Sequence, residues 1–259
     1  MSDVLHHAAD HADPALRTLT MDDLRHALSR GYDDFKAIPT QLIFISLLYP
    51  VIAFVAARAA TGDLMPLLFP LLAGLSLMGP VMAVGLYEIS RRREAGLPVS
   101  WMTAFAVLRS PAIGSILFMA LVLLAIFAVW VFVAQAIYTA TMGTAIAASM
   151  GDFARSVMLT NAGHRLIVLG NLAGAGFAVV VLAISVISLP MLLERNCGVA
   201  LAVRSSVRAV AANPAVMGVW GLIVVALLFV GSLPAFVGLA VAMPVLGHAT
   251  WHLYKRTVG

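Results

Sequence analysis

GPVMAVGLYEISRRREAG, residues 79–96, decides how this chain is read. It begins as an apolar helix containing Pro80. It ends in three consecutive arginines, Arg91, Arg92 and Arg93, and a glycine stop at Gly96. An apolar helix that runs into an arginine cluster has the pattern of a membrane span meeting the cytoplasm. Fixing that end fixes the expected orientation of every other segment.

Composition points the same way. Of the 259 residues, 62% are hydrophobic and 11% charged. Soluble domains carry about 45–50% apolar and roughly 25% charged residues. A domain of this size cannot bury such an apolar excess in water, so a bilayer is the expected solvent. The formal charge of +4 does not argue for nucleic acid. The basic residues stand at the ends of apolar runs, where they act as topological anchors. The single cysteine, Cys197, rules out an intramolecular disulfide and a cysteine-based metal site. Residues 1–19 carry Asp3, Asp10 and Asp13 and read as a mobile segment without a cleavable signal. Insertion is expected to use the first span.

Six apolar runs reach the roughly 20 residues that a bilayer requires. They are Ile38–Ala57, Leu64–Ser90, Ile113–Tyr138, Leu166–Leu189, Ala215–Gly231 and Pro234–Tyr254. The last two form a tight hairpin, because Gly231-Ser232-Leu233-Pro234 punctuates them. With a cytoplasmic N-terminus, thirteen of the sixteen Lys and Arg fall inside, and only Arg58, Arg155 and Arg165 fall outside. The positive-inside bias therefore puts both termini in the cytoplasm. The expectation is an all-α membrane protein, with residues 20–259 forming a single six-span domain.

Four amphipathic pieces lie between the spans: Thr20–Lys36, Ser100–Arg109, Asp152–Leu159 and Val199–Val210. In the first, Thr20 and Asp23 form a capping box, and Leu24, Leu28, Gly31 and Phe35 share a face opposite Asp22, Arg25, Arg30 and Asp33. In the second, Trp101, Phe105 and Leu108 share a face. In the fourth, Val199, Val203, Val207 and Val210 are apolar, beside Arg204 and Arg208 at i,i+4. Such helices are expected to lie in the membrane interface, apolar side down. Each precedes a chain breaker and a span. Phe69-Pro70 with Pro80 also matches Leu233-Pro234 with Pro244 at the same ten-residue offset. The chain thus reads as three pseudo-repeated two-span units.

The same residues carry a family resemblance. GPVMAVGLYEISRRREAG at 79–96, LRSPAIG at 108–114, SLPMLLERNCGVALAVRSSVRAVAANP at 188–214 and PVLGHATWHLYKR at 244–256 resemble the bacterial integral-membrane family named domain of unknown function 2189. The resemblance covers roughly residues 20–256. It implies a multi-span inner-membrane protein of proteobacterial type and transfers no activity and no functional residue.

The candidate site is Glu88, His248 and His252. Aligning Pro80 with Pro244 places Glu88 and His252 at one repeat position, and His248 with His252 share a helix face. Ionisable residues at that depth face the bundle interior and often mark a pathway. A Glu–His hydrogen bond between the second and sixth spans, a proton or ion relay, and metal or haem ligation by the two imidazoles are the competing readings. His6, His7 and His11 form a second, adventitious metal pattern. Gln135 and Asn171 read as interhelical hydrogen-bonding amides. Gly170, Gly174 and Gly176 read as packing glycines, and the segment does not match a nucleotide loop. Pro80, Pro190 and Pro244 read as residues that kink or end helices. Arg91, Arg92 and Arg93, with Arg204 and Arg208, read as cytoplasmic basic patches for anionic lipid headgroups or an acidic partner.

No P-loop, HExxH or G-x-S-x-G motif occurs, and no segment between spans is long enough for a soluble catalytic domain. The expectation is therefore a non-enzymatic inner-membrane protein without cofactor. It would be an accessory, scaffold or membrane-organising component with a membrane-protein partner or a second copy of itself. A small transporter or channel using the Glu/His cluster, and a haem- or metal-binding redox subunit, are the alternatives.

Overall fold

The structure is a computed structural model, and it describes residues 14–38, 68–144, 149–234 and 236–258. All regular structure in these residues is helical. In chain order the elements are α1 Met21–Ala37, α2 Leu68–Leu75, α3 Gly79–Met82, α4 Val84–Glu94, a 3-10 helix Trp101–Arg109, α5 Ile113–Met142, α6 Met150–Leu159, α7 Asn161–Ser185, α8 Ser188–Arg195, α9 Val199–Ala212, α10 Pro214–Ser232 and α11 Leu239–Val258. The fold divides into two compact units. Of the described residues, 14–38, 79–121 and those from 181 onward belong to one, and 68–78 with those between 122 and 180 to the other.

Among the described residues, four helical segments are long and apolar enough to cross a membrane: Pro70–Glu94, Ile113–Met142, Asn161–Arg195 and Pro214–Ser232. They correspond to the second through fifth expected spans. The first, Ile38–Ala57, lies outside the described residues beyond Ile38, as do His6, His7 and His11. The region of the sixth forms α11, which is not among the four. His248, His252, Lys255 and Arg256 lower its apolar character. The second expected span is an interrupted helix. A 3-10 turn over Ser76–Met78 separates α2 from α3, just before Gly79 and Pro80. Pro190 falls in the first turn of α8, where a missing N–H breaks no helical bond, while Pro244 lies inside α11.

In the first unit, α1 starts as its sequence signals. The Thr20 hydroxyl accepts from the Asp23 N–H, and the Asp23 carboxylate accepts from the Thr20 N–H at 2.9 Å. The helix then runs antiparallel along the last turns of α11. Arg17 N–H donates to the Thr257 carbonyl at 2.9 Å at one end, and Gly31 meets Ala249 further along. A Cβ on Gly31 would stand 2.5 Å from the Ala249 nitrogen, so only glycine permits this approach. Leu24 and Ala27 are buried on the same stripe. The apolar face expected to lie on lipid is therefore largely covered by protein. The stripe that is buried is Leu24, Ala27, Gly31 and Asp34, one step round from the expected Leu24, Leu28, Gly31 and Phe35.

Asn213, before α10, accepts from Leu19 N–H at 2.7 Å through its side-chain oxygen. Arg195 reaches the Val258 carbonyl at 3.4 Å. The described N-terminal segment, the start of α10 and the end of α11 thus meet at one end of the unit. Helices α10 and α11 form the expected hairpin, with Gly231 and Gly238 in backbone contact across the turn. The core includes Trp220, Trp251, Tyr87, Ile89 and Leu192, all essentially inaccessible.

In the second unit, Trp130 is the organising side chain. Its indole N–H donates to the Pro70 carbonyl at 2.8 Å, and its ring meets Phe177 edge-on at 5.6 Å. Gly174 lies against the same ring, whereas Gly170 and Gly176 face open space. Asn171 donates to the Ile167 carbonyl of its own helix at 2.7 Å, so the amide is satisfied within α7. Gln135 is half-buried on α5. Exposed apolar side chains cover the outside, with Phe132 at 75% and Leu172 at 66%. So much exposed hydrocarbon on 30- and 25-residue helices is what a lipid-facing surface requires.

Candidate functional site

The polar centre of the first unit is Asp34. It continues the Leu24, Ala27 and Gly31 stripe of α1, so the packing that buries those residues also buries a carboxylate. An ionised carboxylate out of water must be compensated by hydrogen bonds and opposite charge. Asp34 finds both. Ser90 of α4 donates its hydroxyl to Oδ2 at 2.6 Å, and His252 Nε2 of α11 meets the same oxygen at 2.8 Å. Arg93, at the end of α4, pairs with Oδ1. One carboxylate thus ties three helices.

Burial pushes the Asp34 carboxyl up. Hydrogen bonds from His252 and Ser90, the His252 charge and the Arg93 hydrogen bond outweigh it and hold the group down at about 2.

His248, one turn before His252, joins through Ser90. The single Ser90 proton goes to Asp34, so Ser90 accepts from His248 Nδ1–H, at 2.8 Å. That fixes the tautomer and leaves a lone pair on His248 Nε2. This nitrogen is buried and meets no partner within strict hydrogen-bond geometry among the described residues, with the Leu86 backbone as the polar group that interacts with the ring.

The structure brings His248 and His252 into one network, but their carboxylate is Asp34. Glu88 accepts from Arg91 Nε at 2.8 Å and Nη2 at 2.9 Å, and from Arg92 Nε at 2.7 Å. Residues three and four positions on along a helix reach a glutamate without ordering any distant segment. The arginine triplet is therefore engaged throughout: Arg91 and Arg92 on Glu88, Arg93 on Asp34. Arg204 and Arg208 lie exposed on α9.

A second carboxylate, Glu194 of α8, accepts from Tyr254 Oη and from Lys255 Nζ, the latter at 2.8 Å. Glu94 accepts from the Trp251 indole at 3.1 Å. Among the described residues, no group of three or more His, Cys, Asp and Glu is arranged to hold a metal ion. Sequence reasoning missed Asp34. Its one signal is the 3-4-3 spacing from Leu24 through Ala27 and Gly31, which places an acid at a core register.

Comparison with known proteins agrees with this membrane architecture. Residues 68–194 match the model of a family described as predicted integral membrane protein (DUF2189). The matched stretch contains Glu88, Ser90 and the arginine triplet, whereas Asp34, His248 and His252 lie on either side of it. Neither curated proteins nor solved structures gave a match. Family and fold together make this an integral membrane protein with several membrane-length helices.

Proposed function

We propose that the protein is a non-enzymatic, multi-pass component of the bacterial inner membrane that supports or organises a larger membrane assembly. In this reading six segments cross the bilayer, in pseudo-repeated pairs, and both termini are cytoplasmic. The arginine cluster gives the sidedness by the positive-inside rule. The bonds from Arg17 to Thr257 and from Leu19 to Asn213 support placing both chain ends on one side.

The observation that carries the scaffold reading is the closed network around Asp34. Both its oxygens are used in joining α1, α4 and α11. A carboxylate used in this way holds helices in place and is not presented to a substrate. The rigid body so formed displays the valine and arginine side of α9 and the exposed Trp101, Phe105 and Leu108 of the 3-10 helix. These are the surfaces for anionic lipid and for a membrane-protein partner or second copy.

A transport reading has one observation in its favour, the buried His248 Nε2, which meets no partner within strict hydrogen-bond geometry among the described residues. Mild-detergent purification from native membranes distinguishes the two. The scaffold reading expects a stoichiometric partner that is lost when Val207→Ser is combined with Arg204→Gln and Arg208→Gln. A protein recovered alone that conducts protons in proteoliposomes, with the flux abolished by His248→Gln, would overturn it.

A further inference from the structure

We propose that a cleft between α1, the end of α4 and the last turns of α11 binds a phosphate-bearing anion. It is lined by His26 and Arg30 from α1, Glu94 from α4, and His252, Lys255 and Arg256 from α11, and is a half-open cleft of about 370 Å³. That is room for a phosphate or a phosphodiester headgroup, at the small end of ligand pockets. Three cations and two imidazoles face one carboxylate.

The individual partners narrow this surplus to Arg30 and the loosely held Arg256, because Lys255 and Arg256 each meet a carboxylate outside the cleft, Glu194 and Asp23. Lys255 is bound to Glu194 at 2.8 Å and is the least available cation. Arg256 Nε stands 3.7 Å from Asp23, a loose ion pair, and Arg30 is exposed. Glu94, the one acid lining the cleft, is oriented by the Trp251 indole. The His252 ring is fixed from behind by Asp34. Guanidinium groups match phosphate oxygens in pairs, which an ammonium cannot do.

His26 reports the resulting field. Desolvation first, then the charges of Arg256, Arg30 and His252, hold its proton affinity below the ordinary histidine range, and Asp23 opposes them. An anion in the cleft would offset those charges, so binding should draw a proton onto His26. The charges acting on it are Asp23 and Arg30 of its own helix and His252 and Arg256 of α11, and Lys255 of α11 and Glu94 of α4 line the same cleft.

The test uses the full-length protein. Inorganic phosphate is titrated calorimetrically in non-ionic detergent. Separately, bound lipid is counted by native mass spectrometry from phosphatidylcholine nanodiscs with and without phosphatidylglycerol. Arg30→Gln should weaken binding about tenfold, the loss of one charge-assisted hydrogen bond. Glu94→Gln keeps an acceptor for Trp251 and should tighten binding, a gain that misfolding cannot produce. Wild-type affinity for phosphatidylglycerol, whose phosphodiester keeps its single charge over this range, should rise as pH falls from about 7.5 to about 5.5, and His26→Gln should flatten that rise. Weakening by Arg30→Gln and tightening by Glu94→Gln with inorganic phosphate identify a free phosphate compound as the ligand. The same pattern with phosphatidylglycerol alone identifies a lipid headgroup. Absence of saturable binding to either probe, or binding indifferent to both Arg30→Gln and Glu94→Gln, overturns the proposal.

Discussion

Helices α1 and α9 are both amphipathic, both belong to the first unit, and they use their faces in opposite ways. α1 turns its apolar stripe onto α11 and leaves Asp22, Arg25 and Arg30 outside. α9 buries Ala202, Ser205, Ser206 and Ala209, while Val207 is 42% exposed next to Arg208. Small residues let backbones approach, so they mark the protein-packed face, and the bulkier valines stay on the outside. The amphipathic pattern alone does not say whether lipid or protein covers the apolar side. The presence of glycine, alanine and serine in a stripe does.

The largest expected effect falls on the carboxylate that locks α1. Asp34→Ala removes one partner from a buried charged network and leaves Arg93, Ser90 and His252 unsatisfied. The cost should be about 3–5 kcal/mol of stability, read as a lowered thermal midpoint in detergent. Asp34→Asn, which can still accept from Ser90, should cost distinctly less. Equal losses in the two variants would mean that the ionised carboxylate is not the tie.

Next comes the packing surface itself. Gly31→Leu sets a side chain against the Ala249 backbone, where even a Cβ would be 2.5 Å away. Neither backbone can yield locally, so α1 should lift off, at roughly 2–3 kcal/mol. Trypsin should then cut at Arg25 and Arg30 faster than in the wild type. Unchanged cleavage would break the contrast between the two helices.

Acid provides a third test. The Asp34 carboxyl sits at about 2, below its ordinary 3.8, so the folded state favours its ionised form. The associated stability is complete above the unfolded value and is lost as pH falls from about 4 towards about 2. The full shift corresponds to roughly 2 kcal/mol. Unfolding midpoints between about pH 5 and about pH 2 should fall more steeply in the wild type than in Asp34→Asn.

Local signals made much of this architecture legible. The Thr20–Asp23 capping box, the arginine stop of α4 and the hairpin at Gly231-Ser232-Leu233-Pro234 each depend on residues close in sequence. The third and fifth expected spans end within four residues of the observed helices for the same reason, whereas the fourth falls five and six residues short of its segment, Asn161–Arg195. The site was legible only in part. His248 and His252 announce themselves as imidazoles near the end of an apolar helix. Their partner depends on the register of α1 against α11, which no local pattern encodes. Glu88 was a plausible partner by repeat alignment. Arg91 and Arg92 lie one turn away on its own helix, and that proximity prevails.

The smallest effect isolates α9. Val207→Ser replaces a half-exposed side chain on the outward face, so it leaves the packed Ala202, Ser206 and Ala209 stripe intact. Surface changes of this kind alter stability by no more than about 0.5 kcal/mol. If the valine side of α9 lies on a bilayer or a partner, the change should still weaken that association, because apolar area is removed from it. The informative result is a normal melting profile combined with reduced recovery of the native assembly. A large loss of stability would instead mean that α9, like α1, has its apolar side covered by the protein's own helices.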